Sequence, residues 1–386
     1  MGANHDLLAD KAGRAIISKI VNRVDNWGQI FSDNINKAGD FGWPRPDYVC
    51  YDYDLDQSIA FEFKPPNHPK REYLTGLGQT LSYLEKHHYS GLILPTIVEG
   101  FDIAQHISNI LSLDVFARHH ISVIGYNERT LESDPLNSIQ LFKSVEDERT
   151  GEIVSNDLSQ TYWCWWRDIS HYEIFTLLNI LDKHSNQTGD IYSQYAWPEF
   201  WAMMIAGQTR TWEGAGRRKT DSARNRASEK QNYKIPLFQL GLIEPSEGRL
   251  TVEGYKLISV GKIYGLDSSL YLDYLTKLVL IEGKHLILIQ DLEEFKNIAN
   301  ATSLASQDQF RIDFEQYLND NNSIGRRKPG RTTTGNKVSY IRDEFKLWNK
   351  LGLLKTIGTR NYFVNGRGIE FNWSRITEIL TKDFLY

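Results

Sequence analysis

Helical and strand periodicities alternate along the first 130 residues. Apolar side chains recur on one face of residues 5–24, which predicts an amphipathic helix. Two shorter segments, 47–53 and 58–64, alternate between polar and apolar side chains, and the short link between them predicts a β-hairpin. The dipeptide Pro65-Pro66 ends the second strand, because proline cannot donate a ladder hydrogen bond.

The segments after the hairpin complete an α/β pattern. They predict a helix over 71–88, a strand over 92–98, a helix over 103–113 and a strand over 121–126. The order α-β-β-α-β-α-β is typical of a compact α/β domain, which we place at residues 1–130. The polar and irregular stretch 131–160 is interpreted as a linker.

Beyond Trp163 the pattern becomes mainly helical, and two stretches of it resemble each other. Residues 237–258 and 347–371 both run from a helix end through Leu-Gly-Leu into a predicted hairpin. Glycine favours a helix C-cap, and turn residues split the short strands that follow, as in the last helix and wing of a winged-helix unit. We therefore expect winged-helix-like units at 161–265 and 266–386. The alternative is that two helical hairpins share Leu-Gly-Leu by accident.

Composition excludes several classes of protein. The 386-residue chain is 41% hydrophobic and 24% charged, as globular proteins are. Its two cysteines, Cys50 and Cys164, have no metal-ligand neighbours at short spacing, so neither a disulfide framework nor a structural zinc site is expected. No apolar run reaches membrane-spanning length and no signal peptide is visible, so the expected compartment is the cytoplasm, with no membrane partner.

The predicted hairpin carries the candidate chemistry. Side chains alternate along a strand, so Glu62 and Lys64 share one face. With a turn centred on Leu55-Asp56, Asp47 falls opposite Lys64 and diagonal to Glu62. A divalent cation relieves the repulsion between two carboxylates, and Mg²⁺ prefers oxygen ligands. Such an ion polarises a phosphoryl oxygen and acidifies water, while a lysine positions that water, so the grouping predicts phosphodiester hydrolysis.

The string Pro46-Asp47 followed by Glu62-Phe63-Lys64 resembles the PD-(D/E)XK motif of the restriction-endonuclease-like nucleases. The resemblance implies that Asp47 and Glu62 bind Mg²⁺, helped by the main-chain carbonyl of Phe63, and that Lys64 is the catalytic lysine. It also implies an α-β-β-α-β core with the motif on the central hairpin, which is the order that the periodicities predict. The resemblance covers the first third of the chain.

Two further features bear on this resemblance. Gln79 and Tyr83 lie four residues apart on one face of the next predicted helix, and they resemble the QxxxY element of some branches of the family, which supports the site or touches DNA. Gln79 is therefore included in the predicted catalytic set. Many members also carry a Glu on the first helix, where this chain offers Asp6 and Asp10 as the two possible substitutes.

The alternative is that these residues have a structural role and no catalytic one. Asp47, Glu62 and Lys64 would then form an exposed, salt-bridged strand face, and Gln79 and Tyr83 would be ordinary helix surface.

Basic residues are concentrated in two clusters, although the net charge is −5. Each cluster leads into a presumed recognition helix. Lysine and arginine neutralise phosphates and arginine reads guanine, so both clusters are expected to bind double-stranded DNA; the alternative is a solvated loop. The predicted contacts are Arg217, Arg218, Lys219 and Arg224 in the first cluster, and Arg326, Arg327, Lys328, Arg331 and Lys337 in the second.

The run Tyr162-Trp163-Cys164-Trp165-Trp166 is unusually aromatic. Packing between domains is the main interpretation. The alternative is an aromatic cage or base-stacking surface, which a reader of modified bases would need.

These features predict a Mg²⁺-dependent endonuclease that cuts double-stranded DNA at a specific site, as type II restriction endonucleases do. A separate recognition region is expected because a metal site reads no sequence. Cutting both strands usually takes two active sites, so a homodimer is expected during cleavage. Two alternatives stay open: a modification-dependent restriction enzyme that cuts methylated DNA, and a DNA-binding regulator with a decayed nuclease domain.

Overall fold

Strands dominate the first part of the chain and helices the second. The computed structural model describes residues 3–24, 30–114, 116, 119–145, 153, 158–159, 161–167, 169–324, 341–356 and 362–384. Across these ranges, no helix combines the length and the apolar character that a membrane crossing requires. The chain divides into two units: the first takes the residues up to Tyr162 and a later segment that begins at Leu318, and the second takes the rest of the chain from Trp163 onward.

The first unit is a mixed sheet with helices packed on both faces. Its elements in chain order are α1 (Ala3–Val21), β1 (Ile35–Ala38), β2 (Tyr48–Asp52), β3 (Gln57–Phe63), α2 (Lys70–Tyr83), β4 (Tyr89–Pro95), β5 (Ile97–Val98), β6 (Phe101–Asp102), α3 (Ile103–Leu111), β7 (Ile121–Tyr126), α4 (Pro135–Ser138) and β8 (Ile139–Lys143). The main sheet has the order β1-β2-β3-β4-β7-β8. Neighbours among β3, β4 and β7 are parallel and the other neighbours are antiparallel. The expected α/β class is therefore confirmed.

The central strand β3 is buried on both faces. On one face, Phe61 and Phe63 join a core with the apolar side of α1, including Ile16 and Ile20. On the other face, α2 and α3 cover the sheet through a second core. Because neither face reaches water, the polar side chains of β3 have to find partners inside the protein.

Two strands of this sheet lie where the sequence predicted none. The loop before the hairpin contains β1, which pairs with β2. The expected linker 131–160 contains α4 and β8, which pairs with β7 at the sheet edge, so the linker interpretation is wrong for that part. The first unit also takes in a return segment that begins at Leu318, where the main-chain N–H of Lys37 donates to the carbonyl of Asn322 at 2.8 Å. The predicted linker therefore does not mark the end of the first unit.

The second unit is mainly helical, as expected beyond Trp163. Its elements are α5 (His171–Lys183), α6 (Trp197–Ala206), β9 (Thr209–Arg210), β10 (Gly216–Arg217), α7 (Ala223–Gln239), α8 (Val252–Tyr264), α9 (Ser269–Leu280), α10 (His285–Ile298), α11 (Gln307–Asp320), α12 (Arg342–Lys350), β11 (Phe363–Val364), β12 (Gly368–Ile369) and α13 (Trp373–Thr381). A π-helical turn precedes α6.

The two Leu-Gly-Leu stretches have the same local construction. After α7 and after α12 the glycine, Gly241 or Gly352, adopts a left-handed conformation with φ of 70° and 71°. The next residue then donates its N–H back to a helix carbonyl, and a short antiparallel bridge leads to the next helix. The repeated helix and hairpin are thus confirmed, whereas their assignment to winged-helix units stays a prediction.

Candidate active site

The first candidate residue, Asp47, lies one residue before β2. In the β2–β3 ladder Tyr48 pairs with Phe61, so the register extends to bring Asp47 level with Glu62. The expected pairing with Lys64 is wrong by two residues, because the turn is centred on Asp54-Leu55, one residue earlier than assumed. A shift of two residues keeps each side chain on its face of the sheet, so the predicted grouping survives the error.

Asp47 is held by the backbone of the neighbouring strand. Its side chain is 2% exposed, and its Oδ2 accepts a hydrogen bond from the main-chain N–H of Phe63 at 2.8 Å. Its own N–H donates to the carbonyl of Phe61 at 3.1 Å. The carboxylate is therefore fixed against the end of β3, beside the motif residues.

Glu62 and Lys64 form a buried ion pair on the α2 side of the sheet. Lys64 Nζ lies 2.8 Å from Glu62 Oε1 and donates to Gln79 Oε1 at 2.7 Å. The hydroxyl of Tyr83 donates to Glu62 Oε2. Burial and the charge of Glu62 both raise the pKa of Tyr83, so the phenol stays protonated and keeps donating. The structure therefore joins the predicted Gln79 and Tyr83 to the motif, and the exposed strand face of the structural alternative is not what is observed.

Two neighbours leave room for the Lys64 side chain and fix its main chain. A Cβ on Gly76 of α2 would lie 2.7 Å from Cε of Lys64, so the absence of a side chain there lets the lysine pass. The hydroxyl of Tyr126 on β7 donates to the carbonyl of Lys64 at 2.9 Å. The position of the lysine thus depends on elements from both sides of the sheet.

The first helix supplies a residue that sequence reasoning missed. His5 of α1 places its Nε2 3.0 Å from the carbonyl oxygen of Phe63 and 3.7 Å from Oδ2 of Asp47. Burial opposes protonation, but the hydrogen bond with Asp6 and the charge of Asp47 outweigh it and raise the pKa of His5. Its position next to Asp6, one of the two acids of the first helix, is the signal in the sequence that could have found it.

The structure also separates the two acids of the first helix. The ligand atoms of His5, Asp6 and Asp47 lie within 4.8 Å of one another. Asp10 instead pairs with Lys37 and with Arg14, whose Nε is 2.7 Å from Asp10 Oδ2. Asp6 is therefore the acid beside the motif, and Asp10 is part of a buried structural ion pair.

The predicted metal ligands fit a cation in part. Asp47 and the carbonyl of Phe63 both lie beside His5 Nε2, which bonds to that carbonyl, so a cation here would take these two oxygens once it replaces the His5 contact. The oxygens of Glu62 are bonded to Lys64 and Tyr83 instead. Glu62 could thus hold a metal only by releasing one of these partners.

Arg217 of the first basic cluster has a structural contact instead of a free guanidinium. Its Nε lies 2.6 Å from Oε1 of Glu173, a fully buried carboxylate that also accepts from the hydroxyl of Tyr233 at 2.9 Å. The Arg217 side chain is 13% exposed. The DNA contact expected of Arg217 stays a prediction, and it would require the guanidinium to leave a charge that it neutralises inside the second unit.

The other residues of that cluster predicted to contact DNA differ in whether their charge is already paired. Lys219 pairs with Glu229 at 2.7 Å, whereas Arg218 and Arg224 are exposed and have no ion-pair partner within the described chain. Those two arginines remain the best candidates for phosphate contacts. The second predicted cluster lies outside the described residues and comprises Arg326, Arg327, Lys328, Arg331 and Lys337.

The aromatic run packs inside the second unit from its second residue onward. Trp163 and Trp166 are 0% and 1% exposed, and both donate to Oε1 of Glu344, through the indole and the main-chain N–H respectively. Burial raises the pKa of Glu344 to about 8. These two tryptophans thus pack within the second unit, whereas the expected packing between domains stays a prediction.

No protein-family model matches the chain, and a comparison with curated proteins finds no match.

The space beside Lys64 leads to a prediction about two glycines of α2. Gly76→Ala should destabilise the first unit by about 1–3 kcal/mol, because the new methyl group overlaps Lys64 and Leu92. Gly78→Ala is the matched control, since its Cβ would meet nothing within 4 Å, and it should stabilise the helix by roughly 0.5–1 kcal/mol. Thermal unfolding of both variants checks this, and equal shifts would contradict the packing described.

A second prediction concerns Arg217 and its neighbour. Arg217→Ala should lower the free energy of unfolding by about 3–5 kcal/mol, because it leaves the buried charge of Glu173 without its cation. Arg218→Ala removes an equal charge from an exposed position and should change stability by at most about 0.5 kcal/mol. Urea denaturation followed by tryptophan fluorescence measures both, and similar effects for the two would show that the buried pair is unimportant.

Proposed function

We propose that the chain is a metal-dependent endonuclease that hydrolyses phosphodiester bonds of double-stranded DNA, acting as a type II restriction endonuclease. The observation that carries the proposal is that Asp47 lies level with Glu62 across the β2–β3 ladder, while Lys64 pairs with Glu62 and donates to Gln79. A strand buried on both faces carries charged side chains at a cost, which a catalytic role would explain. Apart from the added strand β1, the order of elements also agrees with the α-β-β-α-β core implied by the PD-(D/E)XK resemblance.

The proposed metal is Mg²⁺. Asp47 and the carbonyl of Phe63 would hold it, with Asp6 or His5 nearby and with Glu62 once it exchanges a present partner. When bound, the ion would polarise the scissile phosphate and acidify the attacking water. An imidazole close to the carboxylates also suits Mn²⁺, so both metals belong in the test.

Lys64 would act on the phosphate directly. An ammonium has three N–H donors, and Glu62 and Gln79 accept two of them. Within the described chain no further acceptor is bonded to Lys64, so its third donor can bind a phosphate oxygen or orient water. Fixing two donors in advance reduces the reorganisation required when charge develops in the transition state.

DNA recognition is assigned to the second unit. Its exposed Arg218 and Arg224 would neutralise phosphates, and the repeated helix-and-hairpin segments would provide winged-helix contacts to base edges. A homodimer would supply the two active sites needed to cut both strands.

The catalytic assignment predicts that charged residues of the site and of the hairpin turn differ sharply in their effect on cleavage. Asp47→Ala and Lys64→Ala should each reduce plasmid cleavage by at least about 100-fold, because electrostatic stabilisation of the transition state is lost. Asp54→Ala, an exposed acid in the turn of the same hairpin, should cleave like the wild type. Lys64→Arg should not restore activity, since a planar guanidinium cannot replace a compact ammonium.

The measurement is the initial rate of plasmid cleavage with Mg²⁺ or Mn²⁺, with and without EDTA. Methylated and unmethylated plasmids distinguish a modification-dependent enzyme from the main proposal. Binding without any cleavage in either metal would favour the regulator with a decayed nuclease domain. Wild-type rates in Asp47→Ala would remove the proposed site.

The recognition assignment predicts a change in salt dependence. Replacing Arg218 and Arg224 together by alanine should weaken duplex binding and reduce the slope of log K against log salt by roughly 2, because two phosphate contacts are lost. Lys183 and Lys262 are matched controls, since they pair with Glu199 and Asp182 at 2.9 and 3.2 Å. Titrations at several salt concentrations measure the slopes, and equal slopes for both double variants would argue against these arginine contacts.

A further inference from the structure

A cavity of about 270 Å³ lies within the second unit. Three aromatic side chains line it: Trp166 from the aromatic run, Trp212 from the turn between β9 and β10, and Tyr362 just before β11. Helix α12 adds polar and charged side chains, including Asp343 and Asn349, and the ion pair between Lys350 and Glu213 also lines the cavity. The lining thus combines flat apolar faces with hydrogen-bonding groups.

The tryptophan walls are fixed by contacts of their own. The indole N–H of Trp166 donates to the carbonyl of Ile169 at 3.2 Å, and its main-chain N–H donates to Glu344 at 3.1 Å. The ring of Trp212 packs against that of His171, with centroids 4.8 Å apart. Walls that are ordered in advance lose little conformational freedom when a ligand enters.

Two buried polar atoms of the lining residues have no hydrogen-bond partner within the described chain: Oδ1 of Asn349 and Nε of Arg167. The Arg167 guanidinium is held 3.9 Å above the ring of Trp165. Buried polar groups are usually paired, so these two atoms call for an explanation. Both atoms are almost fully buried, so a ligand with a donor for Asn349 and an acceptor for Arg167 would satisfy them after the two side chains turn towards the cavity.

Aromatic walls together with hydrogen-bonding groups favour one class of ligand. A nucleobase offers two aromatic faces for stacking and an edge on which donors and acceptors alternate. Aromatic amino-acid side chains offer the faces without that edge. The volume falls just below the range of roughly 300–1,000 Å³ typical of drug-sized ligands, so it suits one ring system better than a larger ligand.

We infer that this cavity binds a single nucleobase, presented by an unstacked nucleotide of DNA or by a free nucleotide. The DNA source rests on the proposed function, whereas the free nucleotide does not. A base that leaves a duplex loses its pairing and stacking energy, and an unpaired base loses least. Bulged DNA is therefore the most sensitive duplex probe.

The test uses the full chain carrying Lys64→Ala to suppress cleavage. Fluorescence anisotropy compares fluorescein-labelled duplexes that contain one bulged A, C, G, T or 5-methylcytosine with the same duplex fully paired. Calorimetry tests the four deoxynucleoside monophosphates and 5-methyl-dCMP. We expect at least one bulged duplex to bind about tenfold more tightly than its paired form, or one nucleotide to bind saturably.

Variants then locate the binding. Trp212→Leu and Asn349→Leu should each reduce the preferential binding about tenfold, while Trp212→Phe, which keeps an aromatic face, should retain most of it. Trp373→Leu is the matched control, because Trp373 is exposed and lies outside the cavity lining. Circular dichroism confirms that each variant is folded.

The outcomes are separable. A duplex preference lost in Trp212→Leu but kept in Trp373→Leu supports a base from DNA, and the same pattern with nucleotides supports a free ligand. Equal binding of bulged and paired duplexes with no nucleotide bound, or binding unaffected by Trp212→Leu, overturns the inference. Plasmid cleavage is not a readout here, so a chain that cuts DNA without this preference fails only the inference, and one that binds a base without cutting fails only the proposed function.

Discussion

The constraint on which the first unit depends is the burial of charge on its central strand. Glu62 lies on β3, which is covered on both faces, and the buried Lys64 directly follows that strand, so an unpaired charge there would be very costly. Several contacts offset that cost. The two charges lie 2.8 Å apart, α2 contributes the Gln79 amide and the Tyr83 phenol as hydrogen-bond partners, and Gly76 leaves space for the lysine. The parallel pairing of β3 with β4 sets α2 over this face, so fold and candidate site share one set of contacts.

The second unit solves a similar problem with different residues. Glu173 is fully buried, and Arg217, Tyr233 and the main-chain N–H of Ser170 satisfy its carboxylate. Helix α5, hairpin β9–β10 and helix α7 are thereby tied together by one carboxylate. The same hairpin carries Trp212 at its turn, so the buried ion pair also helps to fix a wall of the cavity. Polar groups thus organise both units at the places where function is proposed.

Much of the first unit could be predicted because its hydrophobic period is strong. The amphipathic α1, the alternation through β2 and β3, and the helix carrying Gln79 and Tyr83 were all visible from local pattern. Strands β1 and β8 were not, because short edge strands in polar surroundings carry little periodic signal. The residues Asp47, Glu62 and Lys64 were found through their spacing. Their register depended on the position of the turn, which the pattern placed one residue too late.

By itself the sequence determined the α/β order, the hairpin with its three charged residues, and the face of α2 that meets them, since all of these follow from periodicities of a few residues. The tertiary structure decided which side chains meet over long separations. His5 and Asp6 approach Asp47 only because α1 packs across the sheet, and Asp10 is excluded because Lys37 and Arg14 neutralise it. The fate of Arg217 was equally undetermined, because a basic residue in a basic run looks the same whether it faces a phosphate or a buried carboxylate.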